Sequence, residues 1–323
     1  MSTHSEKAKG SLNIKSLISA YGTIIAGILI VIIFSVMSPA SFATYDNMIN
    51  ISRQISFLVI IAIGATLVMS VTEFDLSIGA MASLGGVISA KLATQGVPII
   101  LCILIPVAVG FVIGLINGGI VTRFKVLSFV TTLAMGTIIG GFTFWFTGGA
   151  TIFENIPEGF KYLGQTSIGS IPLLSVIMII TVIIFWFVMS QMAVGRRFYA
   201  IGGNVRASQV SGIPINKYKT LAFALCSMLA ALTGSLLASR LGSAHPTGGD
   251  GFFLNAYAAV FLGMTVMKSG VPNIIGTLFG AAIIGIMANG LTILEIPTFM
   301  QDVITGIIII LALIIQKLGR EKV

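Results

Sequence analysis

The chain is poor in residues that could carry out catalysis. Its 323 residues include ten Asp and Glu, two His and two Cys, Cys102 and Cys226. Two histidines cannot build a metal site without carboxylate ligands, and both cysteines lie in apolar runs, which argues against a structural disulfide. No phosphate-binding G-x-x-x-x-G-K-[ST] loop, G-x-S-x-G turn or H-E-x-x-H pair occurs. We therefore expect no catalytic residue, metal site, cofactor or ATPase site in this chain.

Composition indicates that lipid surrounds the chain. Hydrophobic residues make up 56% of it and charged residues 9%, against roughly a quarter charged in a typical soluble domain. This excludes a soluble globular protein, a disordered chain and a nucleic-acid-binding module. A helix needs about 20 apolar residues to cross the hydrocarbon layer. Ten segments approach that length: 17–37, 55–72, 76–92, 98–121, 127–147, 172–190, 220–239, 252–267, 273–294 and 301–316.

These segments predict an all-α polytopic membrane protein. The apolar runs are continuous, without the alternation of barrel strands, which favours helices. The segments 76–92 and 252–267 are short and rich in Gly and Ala, so we expect eight to ten spans. The run at 17–37 is longer than the core of a signal peptide, so we expect it to be retained as the first span.

The Lys and Arg residues predict the orientation. With the N-terminus in the cytoplasm, fourteen of them lie on the cytoplasmic side, and four lie outside: Arg53, Lys91, Lys161 and Arg240. Cytoplasmic loops are enriched in Lys and Arg. We therefore expect one transmembrane domain over 1–323, with cytoplasmic tails at 1–16 and 317–323.

The ionisable residues nearest to the apolar segments fall at segment ends. They are Glu73, Asp75, Lys91, Arg240 and Asp302. Proton-coupled carriers generally keep an Asp, Glu or His inside the membrane, where such residues are expensive and functional. None lies near a predicted helix centre, which argues against proton antiport and indicates a cargo that is neutral and polar or is held by another protein during selection.

Two blocks of the sequence repeat each other. Both contain the same apolar pattern, then Gly-Val-Pro, then Asn-Gly; the pattern is Leu76, Ala80, Leu84 and Gly85 in one block and Leu254, Ala258, Leu262 and Gly263 in the other. The blocks are five predicted spans apart, so they cross the membrane in opposite directions. Two inverted five-helix repeats are a transporter architecture, with the pathway at the repeat interface. Chance matching among apolar residues is the alternative.

Glycines recur at four-residue spacing in two of the segments. Gly110, Gly114 and Gly118 form one such stripe, and Gly276 and Gly280 form another. Such stripes let helix backbones approach closely in lipid. We expect them to serve tight packing rather than to line a pathway.

The cytoplasmic loop at 191–219 holds five Lys and Arg residues. Asn204 can cap a short helix over 205–211, and Gly212 with Pro214 would end it. A short capped helix between two spans can act as a rigid docking element for a partner. An ordinary solvated basic loop is the alternative.

Three ordered motifs carry a family resemblance. The loop contains Gly195, Arg196, Tyr199, Ala200, Gly202, Gly203, Asn204, then Ala207, Ser211, Gly212 and Ile213. This is similar to G-R-x-x-Y-A-x-G-G-N followed by A-x-x-x-S-G-I, while 74–79 resembles I-D-L-S-V-G and 239–251 resembles A-R-L-x-S-A-x-P-x-x-G-x-G. These motifs are typical of permease subunits of the ribose, xylose and autoinducer-2 class of bacterial ABC importers, within the branched-chain amino acid and sugar permease family.

The sequence departs from this family near the expected pathway. Phe253-Leu254-Asn255 stands where the family often has Glu-Leu-Asp, and Glu73 stands where a small residue is common. The resemblance runs from about residue 40 to 316. These departures bear on the cargo rather than on the architecture.

The resemblance implies one transmembrane subunit of an importer in the bacterial inner membrane. Its cargo would be a small neutral solute, a monosaccharide such as ribose, delivered by a periplasmic binding protein. A second permease copy or a paralogue would complete the pathway, and ATP with Mg²⁺ would bind a separate double-cassette ATPase subunit. An ion-coupled secondary transporter with the same five-plus-five repeats is the alternative, because backbone carbonyls at a broken helix can hold sodium.

The resemblance and the positions of residues together suggest site residues. The ATPase subunit would dock at the loop residues already named and at Arg197. Five polar residues are expected near the translocation pathway: Asp75, Ser77, Asn117, Asn255 and Asn289. Arg240 and His245 lie on an outer loop where a binding protein could dock, although a solvated loop is the preferred account of His245. Asp75 could instead be satisfied by the N-terminal amides of the third span, and the asparagines could be interhelical hydrogen-bond partners.

Overall fold

The computed structural model describes residues 14–266 and 270–320. The predicted tail residues 1–13 and 321–323, and Lys268, lie outside the described residues. The described part forms thirteen helices and one two-residue hairpin: α1 (Ile14–Met37), α2 (Tyr45–Met69), α3 (Ile78–Thr94), α4 (Ile99–Phe124), α5 (Ser128–Thr147), α6 (Glu158–Gln165), β1 (Ser167–Ile168), β2 (Ile171–Pro172), α7 (Leu173–Gln191), α8 (Ala193–Gly203), α9 (Val205–Val210), α10 (Ile215–Leu241), α11 (Asp250–Gly263), α12 (Ile274–Ile293) and α13 (Thr298–Arg320).

Each of the ten apolar segments falls on a helix of the structure. Within the described residues, six helices are long and apolar enough to cross a membrane: α2, α4, α5, α7, α10 and α12. The helices α3 and α11 have 17 and 14 residues, as the short segments predicted. The chain is therefore a helical, multi-pass membrane protein.

More of the segment 191–219 is helical than the sequence predicted. The described residues form α8 and α9 there, and α10 begins at Ile215 rather than near residue 220. The sequence predicted one short helix in this segment, over 205–211, and the structure adds α8, where Gly195, Phe198 and Ile201 form a buried face. A helix with such a face gains free energy by packing against the bundle.

The two helices α2 and α10 form the centre of the bundle. Every residue from Ile55 to Met69 in α2 is buried, which is the pattern of a helix surrounded by others. α10 packs along α2, α3 and α4, while α2 also packs against α7, α11 and α12. By contrast, α5 and α7 leave large apolar side chains such as Trp145 and Ile183 exposed, as expected for surfaces in contact with lipid.

The glycine stripe of α4 packs directly on α10. A Cβ atom on Gly110 would lie 2.6 Å from the backbone oxygen of Ser227, and one on Gly118 would lie 2.5 Å from Cα of Thr220. These distances are shorter than van der Waals contact, so no larger residue fits without moving the helices apart. Gly276 and Gly280 pack in the same way against the backbone of α11. The predicted close packing is confirmed.

The two ends of α10 carry different structures. At its C-terminal end, Ser239 donates a hydrogen bond of 2.6 Å to the backbone oxygen of Phe160 in α6, and Arg53 donates one of 3.0 Å to Ser167 in β1. The helices α8 and α9 pack at its N-terminal end. Since α10 has 27 residues, about 40 Å separates these two ends.

Candidate transport site

The connection between α2 and α3, residues 70–77, passes through the interior of the bundle. Val71, Asp75 and Ser77 are fully buried in it. Asp75 does lie at a helix end, as predicted, but α3 is short and begins inside the protein. The sequence predicts no ionisable residue near a helix centre, and Asp75 does lie between two helices, but its side chain is buried inside the protein.

Asp75 is the centre of a buried polar network. Its Oδ1 accepts hydrogen bonds from the backbone N–H of Ser77, at 2.9 Å, and from the Ser77 hydroxyl. Its Oδ2 accepts a longer bond of 3.4 Å from Ser227 in α10. Asn117 in α4 donates a bond of 3.1 Å to Ser77 Oγ. Three of the five predicted pathway residues therefore meet, and part of the carboxylate's role is to satisfy the start of α3.

A tyrosine of α11 holds the backbone of the same connection. The Tyr257 hydroxyl accepts the backbone N–H of Asp75 at 2.7 Å and donates to the backbone oxygen of Asp75 at 3.0 Å. On the α5 side, the N–H of Leu76 donates to Thr132 Oγ1 at 2.9 Å. The connection is thus hydrogen-bonded to four helices, α4, α5, α10 and α11.

Tyr257, Ser227 and Thr132 were not among the residues singled out from the sequence. Each lies on a different helix, far along the chain from Asp75. A usable signal was present, because a hydroxyl inside an apolar span must find a hydrogen-bond partner in the protein. That rule shows that a partner exists without showing which one.

The other two predicted pathway residues lie elsewhere. Asn289 in α12 and Asn47 in α2 exchange two side-chain hydrogen bonds of 3.0 Å. This geometry matches the interhelical alternative for Asn289. Asn255 is partly exposed on α11, and its Nδ2 donates to the backbone oxygen of Gly251 at 2.9 Å.

The helices α8 and α9 form a compact unit at the N-terminal end of α10. Asn204 Oδ1 accepts the N–H of Ala207 at 2.9 Å and caps α9 as predicted. Gly212 follows the helix with a φ of 77°, a conformation that favours glycine. Arg196, Arg206 and Val210 are exposed on this unit, Val210 to 86%.

Several contacts attach α8 to the rest of the bundle. Arg197 donates a hydrogen bond to the hydroxyl of Tyr218 in α10, and its guanidinium lies 5.2 Å from the centre of that ring. Burial raises the pKa of the Tyr199 hydroxyl above its ordinary value, so this group stays neutral. A cavity of about 1070 Å³ lies between α8, the α2–α3 connection and the start of α12, with Arg196 and Asn273 among its lining residues.

The predicted outer docking residues differ in exposure. His245 is exposed, and its Nδ1 lies 2.9 Å from Thr247 Oγ1. Arg240 is partly buried, with its guanidinium 5.7 Å from the centre of the Phe57 ring. Within the described part of the chain, no group of three His, Cys, Asp or Glu side chains is placed to hold a metal ion.

The structure is that of a multi-pass membrane protein of transport type. It has an apolar exterior, a polar connection that leads into the short helix α3 and contacts the short helix α11, and a basic unit formed by α8 and α9. Residues 47–313 match the family described as branched-chain amino acid transport system / permease component. The chain belongs to this permease family, as the motifs in the sequence predicted. It is therefore a transport subunit rather than an ATPase.

Named relatives cover almost the whole chain. It is 37% identical to the ribose import permease protein RbsC of Haemophilus influenzae, over 92% of this chain and 93% of that protein. It is 36% identical to RbsC of Bacillus subtilis, over 90% of each. It is 33% identical to the D-allose transport system permease protein AlsC of Escherichia coli, over 92% of this chain and 91% of that protein. No solved structure gives a significant match to this chain.

Proposed function

We propose that this protein is the permease subunit of an ATP-driven ABC importer that carries a small neutral sugar, such as ribose, across the bacterial inner membrane. The observation that carries the proposal is the likeness, over nine-tenths of the chain, to permeases named for ribose and D-allose. A periplasmic binding protein delivers the sugar, and a separate double-cassette ATPase supplies the energy. A second copy or a paralogue completes the pathway.

In this proposal ten helices, α1–α5, α7 and α10–α13, cross the membrane as two inverted repeats with both chain ends in the cytoplasm. The packing supports the repeat, because α10 lies against α3 and α4 while α2 lies against α11 and α12. Local geometry supports it too. Gly96 and Gly270 precede the two Val-Pro pairs with φ of 73° and 80°, the left-handed region in both copies.

The unit of α8 and α9 is the docking site for the ATPase. Its inner face is formed by Phe198 and Ile201, whereas Arg196, Arg206 and Val210 are exposed. A rigid unit with exposed basic and apolar groups is suited to bind an ATPase whose conformational change must move the permease. The other docking residues, 195, 197, 199–200, 202–204, 207 and 211–212, shape these two helices.

The pathway passes close to the network of Asp75, Ser77 and Asn117. Its support is that Asp250 and Asn255 in the first turns of α11 are wholly or partly exposed, while Tyr257 of the same helix is hydrogen-bonded to Asp75. The binding protein docks near His245 and Arg240. The ion-coupled alternative has less support, since the family match is to a permease component.

The test is uptake by the complete importer in proteoliposomes. The permease is co-expressed with a double-cassette ATPase and a periplasmic binding protein, and labelled ribose and D-allose are the probes. We expect uptake that requires ATP and the binding protein. Uptake that persists without ATP and collapses with a sodium gradient would instead favour the secondary transporter.

A pair of charge reversals tests the docking site with the same co-expressed subunits. Arg196→Glu with Arg206→Glu should abolish co-purification with the ATPase. The control is Lys161→Glu on α6, where the partner of Lys161 is Glu158. This variant should leave co-purification with the ATPase intact. Normal co-purification and normal stimulated hydrolysis in the double variant would refute docking at α8 and α9.

A further inference from the structure

We infer that the α2–α3 connection transmits movement of α8 and α9 to α11, with Glu73 and Tyr257 as the positioning residues that attach it at either side. The inference rests on the proposed function, because it needs an ATPase that moves α8 and α9. It adds a mechanical route through the permease from the docking unit to the short helix α11.

The first attachment joins the connection to the start of α10 and to α8. Glu73 forms an ion pair with Lys219, which lies in the first turns of α10 directly after α9. The two side chains are only 15% and 16% exposed, so solvent screens this pair less than a surface pair. Gly202 of α8 also lies against the backbone oxygen of Ser70, where a Cβ atom would overlap it.

The second attachment joins the connection to α11. Tyr257 both accepts from and donates to the backbone of Asp75, so this hydroxyl fixes the peptide in two directions. Its ring also lies 5.6 Å from the ring of Phe74. A displacement of residues 73–75 must therefore displace Tyr257 or break two buried hydrogen bonds.

The connection between these attachments has features of a hinge. Thr72 has a φ of 61°, which is strained for a β-branched residue, and such strain is found where a segment has two accessible arrangements. Ser70, Thr72 and Glu73 border the cavity of about 1070 Å³, as do Tyr199 and Gly202 of α8. The connection therefore has free volume beside its contact with α8.

A charge exchange tests the first attachment. In proteoliposomes containing the complete importer, the measured quantity is sugar moved per ATP hydrolysed. Glu73→Lys and Lys219→Glu should each lower this ratio at least about fivefold, the lower range of allosteric coupling. The double exchange should return it to within about twofold of the wild-type ratio. Arg123→Glu, which alters an exposed cation near the end of α4, is the control and should keep the wild-type ratio.

A second variant tests the attachment at α11. Tyr257→Phe keeps the ring and removes the hydroxyl, and it should also lower the ratio while co-purification with the ATPase persists. Tyr162→Phe, on an exposed tyrosine of α6, is its control. Wild-type ratios in both Tyr257→Phe and the single charge variants would overturn the inference, as would a double exchange that recovers nothing. If Glu73 variants fail to assemble, Tyr257→Phe alone decides. A wild-type importer without ATP-dependent uptake would refute the proposed function instead.

Discussion

The connections that lead into the two short helices, α3 and α11, are opposite in character. Residues 70–77 bury Asp75 and Ser77 and are hydrogen-bonded to four helices. Residues 242–249 leave His245, Thr247 and Gly248 exposed, and Ala244 pairs through its backbone with Ile152 in a loop at the end of the bundle. Asp75 and Ser77 of the first connection therefore lie in the interior, whereas His245 and Thr247 of the second lie at a surface.

The difference is instructive because the two short helices begin close together. A Cβ atom on Gly79, in the first turn of α3, would lie 3.2 Å from the backbone oxygen of Gly249, just before α11. Ser83 of α3 accepts the N–H of Gly249 at 2.9 Å. The chain therefore enters these two neighbouring helices from opposite sides. It reaches α3 from within the bundle and α11 from the end of the bundle.

The largest contrast should appear in stability. Asp75→Ala leaves the N–H and hydroxyl of Ser77 and the hydroxyl of Ser227 without their acceptor, so the free energy of unfolding should fall by about 3 kcal/mol or more. His245→Ala, in the exposed connection, should change it by less than about 0.5 kcal/mol. Thermal unfolding of the purified permease in detergent measures both. Equal effects would remove the distinction between the connections, and Asp75→Asn, which keeps the shape, should be milder than Asp75→Ala.

The second-largest difference between the two connections should appear in their rates of labelling by a thiol reagent. A membrane-impermeant maleimide should label Thr247→Cys on the order of a hundredfold faster than Ser77→Cys, because labelling of a buried residue requires local opening. The native Cys102 and Cys226 are both buried and provide a low background. The rates are read from gel shifts in intact cells. Rapid labelling of Ser77→Cys would show that residues 70–77 open to water.

The smallest contrast concerns backbone strain. Thr72 and Gly242 both have a φ of 61°, one in each connection. Thr72→Gly should relieve strain and raise the free energy of unfolding by up to about 1 kcal/mol, and Gly242→Ala should lower it by about the same amount. Thermal unfolding again measures both changes. A stability loss in Thr72→Gly would mean that the threonine side chain contributes more than its conformation costs.

Much of the helical framework follows from local sequence. Apolar length placed all ten main helices, although polar residues at Tyr45–Gln54 extended α2 beyond its apolar run. The capping of α9 by Asn204 was predictable because donor and acceptor are three residues apart. The sequence did not predict the helices α6 and α8, because both are short and their apolar faces can be recognised only when they are packed against the bundle.

The polar partners could not be read in the same way. Asn117 and Asn289 occupy equivalent places in the sequence repeat, yet the first bonds to Ser77 and the second to Asn47. Polar residues in apolar helices need partners, but the choice depends on how helices are rotated and which ones are neighbours.

Sequence alone determined that this chain lies in a membrane, where its main helices run, which glycines let them pack and which residues tie it to a permease family. Those properties depend on hydropathy and on residues within one or two helical turns of each other. Tertiary structure alone decided that Asp75 is buried and that Tyr257, 182 residues away along the chain, holds its backbone. A buried polar group must be paired, and only the packing of distant helices supplies the partner.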